Sequence, residues 1–117
     1  METIKKNSSF RRIYQTTSSL ADQNLVIYAK KTGEPTCFGI SISSKVGNAV
    51  TRNRIKRQIK EILRLNESAI QDGYAIIFVV RVRCRDKNCK IIARSLYHLL
   101  RKSDALTIHE ESMWVIP

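Results

Sequence analysis

Apolar residues recur along the chain with two different periods, and the changes between these periods predict six secondary-structure elements. Helical spacing appears first in a short segment that Ser8 or Ser9 can cap, with Phe10, Ile13 and Tyr14 at its apolar positions. Period-two alternation then predicts two strands, over residues 25–31 and 37–44. Residues 31–35 contain glycine and proline, so they predict a hairpin turn between these strands.

A second helix is predicted over residues 48–65, because isoleucines return at helical spacing after a tight turn. Gly47 permits the turn and Asn48 is suited to cap the helix. The amides at the start of such a helix can receive a phosphate.

The last predicted strand is the strongest and covers residues 74–83, after a turn at Asp72 and Gly73. Its run 75–80 is apolar at every position, which indicates a central strand or one covered by a helix. Asp86 can cap a final helix that ends near residue 102. The apolar stripe of this helix is formed by Ile92, Leu96, Leu99 and Leu100.

This order of elements predicts an α/β fold, with a three- or four-stranded sheet packed by helices in a single domain over residues 1–117. The segment from residue 104 is mixed in character. Its apolar end, residues 113–116, can add a short strand or pack on the domain, and the pattern does not choose between them.

Charge adds a functional constraint, because 21 lysines and arginines stand against 10 acidic residues, a formal net charge of +11. Such an excess favours association with polyanions, either nucleic acid or an anionic membrane. No apolar run approaches the roughly 20 residues of a membrane span, and no apolar stretch follows the first lysines as in a secretory signal. Nucleic acid is therefore the favoured partner, and a cytoplasmic location is expected.

The residues that could support metal or redox chemistry show no recognisable spacing. Cys37, Cys84 and Cys89 are odd in number and lack a CxxC pair, and the only histidines are His98 and His109. A reduced intracellular protein without a zinc site or another tightly bound cofactor is expected.

The segment 45–64 carries seven lysines and arginines but a single acidic residue, Glu61. At 100° per residue, Ile55, Ile59 and Ile62 share one side, while most cations occupy a broad outward arc. Solvated helix faces usually mix both signs of charge, so this face favours polyanion binding. A merely solubilising charged face is the alternative.

Three segments around the basic helix form one set: GISIS at 39–43, KVGNAV at 45–50 and RNRIKR at 52–57. Together they resemble the signature of the bacterial ribonuclease P protein family, and the resemblance extends from about Lys5 to Arg101. The resemblance implies a two-layer α/β sandwich with an unusual left-handed βαβ crossover around the basic helix. It also implies the non-catalytic protein subunit of the tRNA-processing endonuclease, with magnesium-dependent chemistry on the RNA subunit.

Two binding sites follow from the resemblance and the spacing together. The candidate contacts to the catalytic RNA are Lys45, Asn48, Arg52, Asn53, Arg54, Lys56, Arg57 and Lys60. The candidate contacts to the 5′ leader of precursor tRNA are Phe10, Tyr14 and Tyr28, which spacing alone would place in the core. The short basic arm before the first helix consists of Lys5 and Lys6.

Three other functions remain open on the residues alone. A ribosomal or other structural RNA-binding protein could use the same basic helix, and so could a DNA-binding protein. A protein nuclease would need clustered carboxylates or a histidine-based acid–base pair, and the acidic residues are scattered. Cleavage of precursor tRNA by the protein alone would favour the nuclease.

Overall fold

A computed structural model of the protein describes residues 1–4 and 7–117, so the predicted arm of Lys5 and Lys6 lies outside the described residues. The described part contains three α-helices and one five-stranded mixed sheet. The helices are α1 (Asn7–Thr16), α2 (Ala49–Leu65) and α3 (Cys89–Lys102). The strands are β1 (Glu2–Thr3), β2 (Ser19–Ala21), β3 (Leu25–Lys31), β4 (Cys37–Ile42) and β5 (Tyr74–Val80). The predicted α/β class is confirmed.

Strand β5 occupies the centre of the sheet, whose order is β1-β4-β5-β3-β2. It runs parallel to β4 and antiparallel to β3. The predicted hairpin between β3 and β4 is therefore wrong, because β5 lies between them and pairs with both. The turn at 32–35 instead meets the turn before β5, where the Thr32 amide donates to the Gly73 carbonyl at 2.7 Å.

The side chains of β5 are buried on both faces of the sheet. Ile76 and Phe78 enter the main core beneath α2 and α3, whereas Ile77 packs with Ile13 of α1 on the opposite face. The sheet and the α2–α3 pair thus form the two expected layers, and α1 covers part of the other face. The parallel β4–α2–β5 unit is the crossover that the resemblance implies, and its left hand stays a prediction.

The edge strands β1 and β2 were absent from the predicted elements. They have two and three residues, and all five side chains are exposed. Strands this short and exposed carry no alternation of apolar and polar residues, so the pattern could not indicate them.

Asparagine side chains begin both long helices. Asn48 accepts a hydrogen bond from the Thr51 amide at 2.9 Å, which confirms the predicted cap of α2. The predicted cap of α3 by Asp86 is wrong, because Asn88 accepts from the Ile91 amide at 3.0 Å. Asp86 instead ends a 3-10 turn, Val82–Asp86, which replaces the last residues of the predicted strand.

The start of α1 also differs from the prediction. The helix begins at Asn7, so Ser8 and Ser9 lie within its first turn and neither is the residue before it. Adjacent polar residues offer the same capping chemistry, and the path of the backbone decides which position begins the helix.

The segment after α3 packs on the domain. The Trp114 ring is 4% exposed and lies 5.9 Å from the Tyr97 ring, and its indole N–H donates to the Ala93 carbonyl at 3.0 Å. The amide of Val115 donates to buried Asn66 at 2.7 Å, and the Asn66 amide group donates back to the Val115 carbonyl at 2.8 Å. Of the two placements left open by the sequence, packing is confirmed for Trp114.

All three cysteines lie in the described part and are free. Cys84 is fully buried, and this burial raises the pKa of its thiol to about 11, so the thiol stays protonated at neutral pH. The described residues contain no group of three or more histidine, cysteine or acidic side chains arranged to hold a metal ion. No helix in residues 1–4 and 7–117 is long and apolar enough to cross a bilayer.

Replacing Trp114 by alanine should lower the free energy of unfolding by about 3–5 kcal/mol, because it leaves a cavity beside Tyr97 and removes the hydrogen bond from the indole to the Ala93 carbonyl. The measurement is urea unfolding followed by circular dichroism. Met113→Ala is the matched control, since Met113 is 59% exposed and its loss should change stability by less than about 0.5 kcal/mol. Equal stabilities of the two variants would show that the segment does not contribute to the core.

Candidate nucleic-acid interface

Helix α2 separates its apolar and basic residues onto opposite sides. Ile55, Ile59 and Ile62 are completely buried, as the spacing predicted. The outward side is exposed and carries Asn53, Lys56, Arg57, Lys60 and Arg64. Each of these positions lies three or four residues from another of the set, so they form one continuous strip along the helix.

The acidic residue of α2 is paired within the helix. Arg64 donates two hydrogen bonds to the Glu61 carboxylate, at 2.6 and 3.0 Å. The hydrogen bond from Arg64 lowers the pKa of Glu61, which therefore stays ionised and holds that guanidinium. Lys56, Arg57 and Lys60 make no side-chain hydrogen bond or ion pair with any described residue, so their charge is available to a ligand.

Two arginines of the predicted site have partners inside the protein. The Arg54 guanidinium donates to the Arg85 carbonyl at 2.7 Å, to the Lys87 carbonyl at 3.4 Å and to Gln58 at 3.1 Å. Arg52 donates from Nε to the Gly47 carbonyl at 3.1 Å. Both side chains are partly buried, and Arg54 ties α2 to the 82–86 turn.

The turn before α2 holds the remaining two predicted RNA contacts. Lys45 is exposed, and its amide donates to the Ser43 hydroxyl at 3.1 Å. Asn48 is exposed as well, but its side-chain oxygen is engaged by the helix cap. Asn48 therefore shapes the start of α2, and only its NH2 group can reach outward.

The three predicted leader contacts lie together on the face of the sheet that α1 partly covers. The rings of Tyr14 and Tyr28 are 4.8 Å apart and nearly perpendicular, and the ring of Phe10 is 6.4 Å from Tyr14. All three residues are partly buried against the small cluster of Ile13, Ala75 and Ile77. The three aromatic residues thus pack at the edge of a small core, and part of each side chain remains exposed to solvent.

Gly39 makes room for this aromatic group. A Cβ at Gly39 would lie 2.4 Å from the tip of the Phe10 ring, so the ring rests directly on the backbone of β4. Gly39, Ile77 and Tyr28 are neighbours across three strands. Gly39 entered the sequence predictions only as part of the strand at 37–44 and of the GISIS segment, although an isolated glycine in a strand is itself a signal of close approach.

The next row of residues on this face of the sheet is also partly exposed to solvent. Ser41, Val79 and Val26 are neighbours across β4, β5 and β3, and each is only partly buried. Together with the rings of Tyr28 and Phe10, this row makes a shallow surface of apolar and aromatic groups. It lies on the opposite face of the sheet from α2, so the two predicted sites are separate.

A model of the Ribonuclease P family matches residues 1–104. The chain belongs to this family. The Ribonuclease P protein component of Clostridioides difficile (strain 630) is 44% identical over 103 residues, which cover 86% of this chain and 90% of the relative. That of Alkaliphilus metalliredigens (strain QYMF) is 42% identical over 100 residues, covering 85% and 90%.

Solved structures of the Ribonuclease P family share the fold. A structure of the Staphylococcus aureus RNase P protein matches with a TM-score of 0.85 at 36% identity, covering 92% of this chain and 99% of that one. The RNase P protein from Thermotoga maritima matches with a TM-score of 0.79 at 26% identity, covering 87% and 97%. The resemblance seen in the glycine–asparagine–alanine and arginine–asparagine–arginine segments is therefore confirmed.

Arg54 and Arg57 should behave differently when each is replaced by methionine. Arg54→Met should lower the free energy of unfolding by about 1–3 kcal/mol, because it leaves the Arg85 carbonyl without its charged donor. Arg57→Met should change stability by less than about 0.5 kcal/mol, since Arg57 is exposed and makes no such bond among the described residues. Thermal and urea unfolding of both variants provide the measurement, and indistinguishable stabilities would contradict a structural role for Arg54.

Proposed function

We propose that the chain is the protein subunit of ribonuclease P and binds the catalytic RNA of that complex through α2. The observation that carries the proposal is that three cations of the α2 strip, Lys56, Arg57 and Lys60, have no intramolecular partner in the described structure of a Ribonuclease P family member. Arginine can donate two parallel hydrogen bonds to the oxygens of a phosphate, and lysine provides a compact positive charge, so the strip suits an RNA backbone.

The aromatic surface is the proposed site for the 5′ leader of precursor tRNA. A leader is single-stranded, and unpaired bases bind proteins by stacking on aromatic side chains. The exposed parts of Phe10, Tyr14 and Tyr28, with the open row beside them, provide such a surface. Because this surface and α2 lie on different faces of the sheet, one molecule can contact both RNAs at once.

The hydrolytic chemistry is assigned to the RNA subunit and its magnesium ions. Among residues 1–4 and 7–117, no three histidine, cysteine or acidic side chains are grouped so that they could hold a metal ion. The proposed contribution of the protein is to offset phosphate repulsion and to hold the substrate leader beside the catalytic RNA.

Reconstitution tests this function directly. The protein is added to a bacterial ribonuclease P RNA and labelled precursor tRNA at low magnesium, where it should restore cleavage that the RNA alone performs poorly. The protein without RNA should leave the precursor intact. No stimulation would contradict the proposed function, and cleavage by the protein alone would favour a protein nuclease.

Alanine at Lys56, Arg57 and Lys60 should reduce the salt dependence of binding to the catalytic RNA. Each phosphate contact releases counterions, so the slope of log K against log salt should fall by about one per lost contact. The measurement is a filter-binding titration at several salt concentrations. The control is alanine at Lys31, Arg101 and Lys102, which removes the same charge from exposed positions elsewhere. Equal slopes of log K against log salt for the two triple variants would show that these α2 residues do not contact the RNA.

Tyr28→Ala should weaken binding of precursor tRNA to the reconstituted complex by about 1–3 kcal/mol and leave mature tRNA unaffected, because only the precursor carries the leader. Tyr28→Phe keeps the ring and should retain the selectivity. Unfolding of both variants is measured in parallel, because the Tyr28 ring also contacts Tyr14. An equal loss of affinity for precursor and mature tRNA would show that Tyr28 only packs in the fold and does not contact the leader.

A further inference from the structure

The turn between β5 and α3 places arginines on either side of a buried residue. Cys84 is fully buried, whereas Arg83 and Arg85 next to it are exposed. The segment 81–90 contains five lysines and arginines and a single acidic residue, Asp86. The sequence pattern predicted the end of a strand and the capped start of the last helix over this segment, so neither the fold prediction nor the proposed RNA site uses these charges.

Three anchors fix the backbone of this turn. The Cys84 side chain enters the main core, and the Cys84 amide donates to the Arg81 carbonyl at 2.9 Å. The Arg81 guanidinium donates to the Asp22 carbonyl at 2.8 Å. On the other side, Arg54 of α2 donates to the carbonyls of Arg85 and Lys87. The turn is therefore held in place before any ligand arrives, which lowers the entropy cost of binding.

The anchoring by Arg54 also sets the electrostatics of the turn. Arg54 engages the carbonyl oxygens of Arg85 and Lys87, whose partial negative charge would otherwise repel a phosphate. Arg85 has a nearby carboxylate in Asp86, but the 3.7 Å separation and the exposures of 54% and 80% make this a weak, water-screened pair. The positive charge of the turn therefore remains available at the surface.

The turn is continuous with the basic surface proposed to bind RNA. Arg54 joins it to α2, and the short turn containing Lys45 also packs against it. Lys45 and the turn with the arginines at 83 and 85 therefore lie beside the N-terminal half of α2, the helix that carries the strip. A duplex backbone carries about one charge per 1.7 Å of helix axis, so an RNA lying on α2 presents further phosphates beyond the helix.

We propose that Arg83 and Arg85 form a second phosphate-binding segment, which extends the α2 surface and contacts the backbone of the catalytic RNA. Arg54 is the positioning residue of this segment, because its forked guanidinium fixes the turn against α2. The inference rests on the proposed function of α2. The turn is assigned a contact with the RNA backbone rather than with bases. Exposed arginines on a fixed turn can bind phosphates of any nucleotide sequence, whereas a base contact would depend on the sequence.

The test compares charge-matched double variants by the salt dependence of their binding to a bacterial ribonuclease P RNA. Arg83→Ala with Arg85→Ala should lower the slope of log K against log salt by about two. Arg101→Ala with Lys102→Ala removes the same charge at the exposed end of α3 and should leave the slope unchanged. Lysine at positions 83 and 85 keeps the charge and should restore most of the slope, whereas a role in folding alone would not be restored by charge.

The α2 triple variant separates failure of this inference from failure of the proposed function. A reduced slope for the α2 variant with a normal slope for the 83 and 85 double alanine variant would overturn the inference and keep the function. Normal slopes for both would overturn both. A reduced slope for the double alanine variant at 83 and 85, with a normal slope for the α2 variant, would support the contact by the turn and overturn the assignment of α2.

Arg54→Lys tests the positioning role. Lysine keeps the charge but cannot bridge the carbonyls of Arg85 and Lys87 with a planar fork. The slope should fall toward that of the double alanine variant, and amide hydrogen exchange at residues 82–87 should accelerate. A slope and exchange rates equal to those of the wild type would overturn the positioning role.

Discussion

Strand β5 exchanges backbone hydrogen bonds along both edges and buries side chains on both faces, so the positions of the other elements are set relative to it. Pairing with β4 in parallel requires a long crossover, and α2 is that crossover. Pairing with β3 on the other edge separates two strands that are adjacent in sequence. The isoleucines of α2 pack in the same core cluster as Ile76 and Phe78 of β5. This packing fixes one side of the helix, and its basic residues therefore lie on the outer side.

The arginines of the molecule have two physical roles. Where a guanidinium is near backbone carbonyls, as for Arg52, Arg54 and Arg81, it donates to them and fixes a turn, and Arg54 does so with two nitrogens. Where no acceptor of the described chain is in reach, as for Arg57, the charge is exposed to solvent. A dense basic sequence can therefore stabilise its own loops with some cations and bind a polyanion with the others.

The two proposed RNA surfaces use different interactions, and the sheet keeps them apart. The α2 strip and the 82–86 turn act through charge, which is strong at low salt and independent of sequence. The aromatic surface over Gly39 acts through stacking on a rigid backbone, which needs unpaired bases. A structured RNA and a single-stranded leader can therefore be bound at the same time without competing for one site.

The sequence alone determined the features that depend on local periodicity or on a specific motif. These include α2 with its Asn48 cap, the extent of β3, the burial of β5 and membership of the Ribonuclease P family. Only the tertiary structure decided that β3 and β4 do not pair, that Asn88 caps α3, and that Arg54 faces a turn 31 residues away in the chain. Strand pairing, the choice among neighbouring polar caps and the partner of a long side chain depend on contacts between residues distant in sequence. A local pattern of apolar and charged positions carries no information about such contacts.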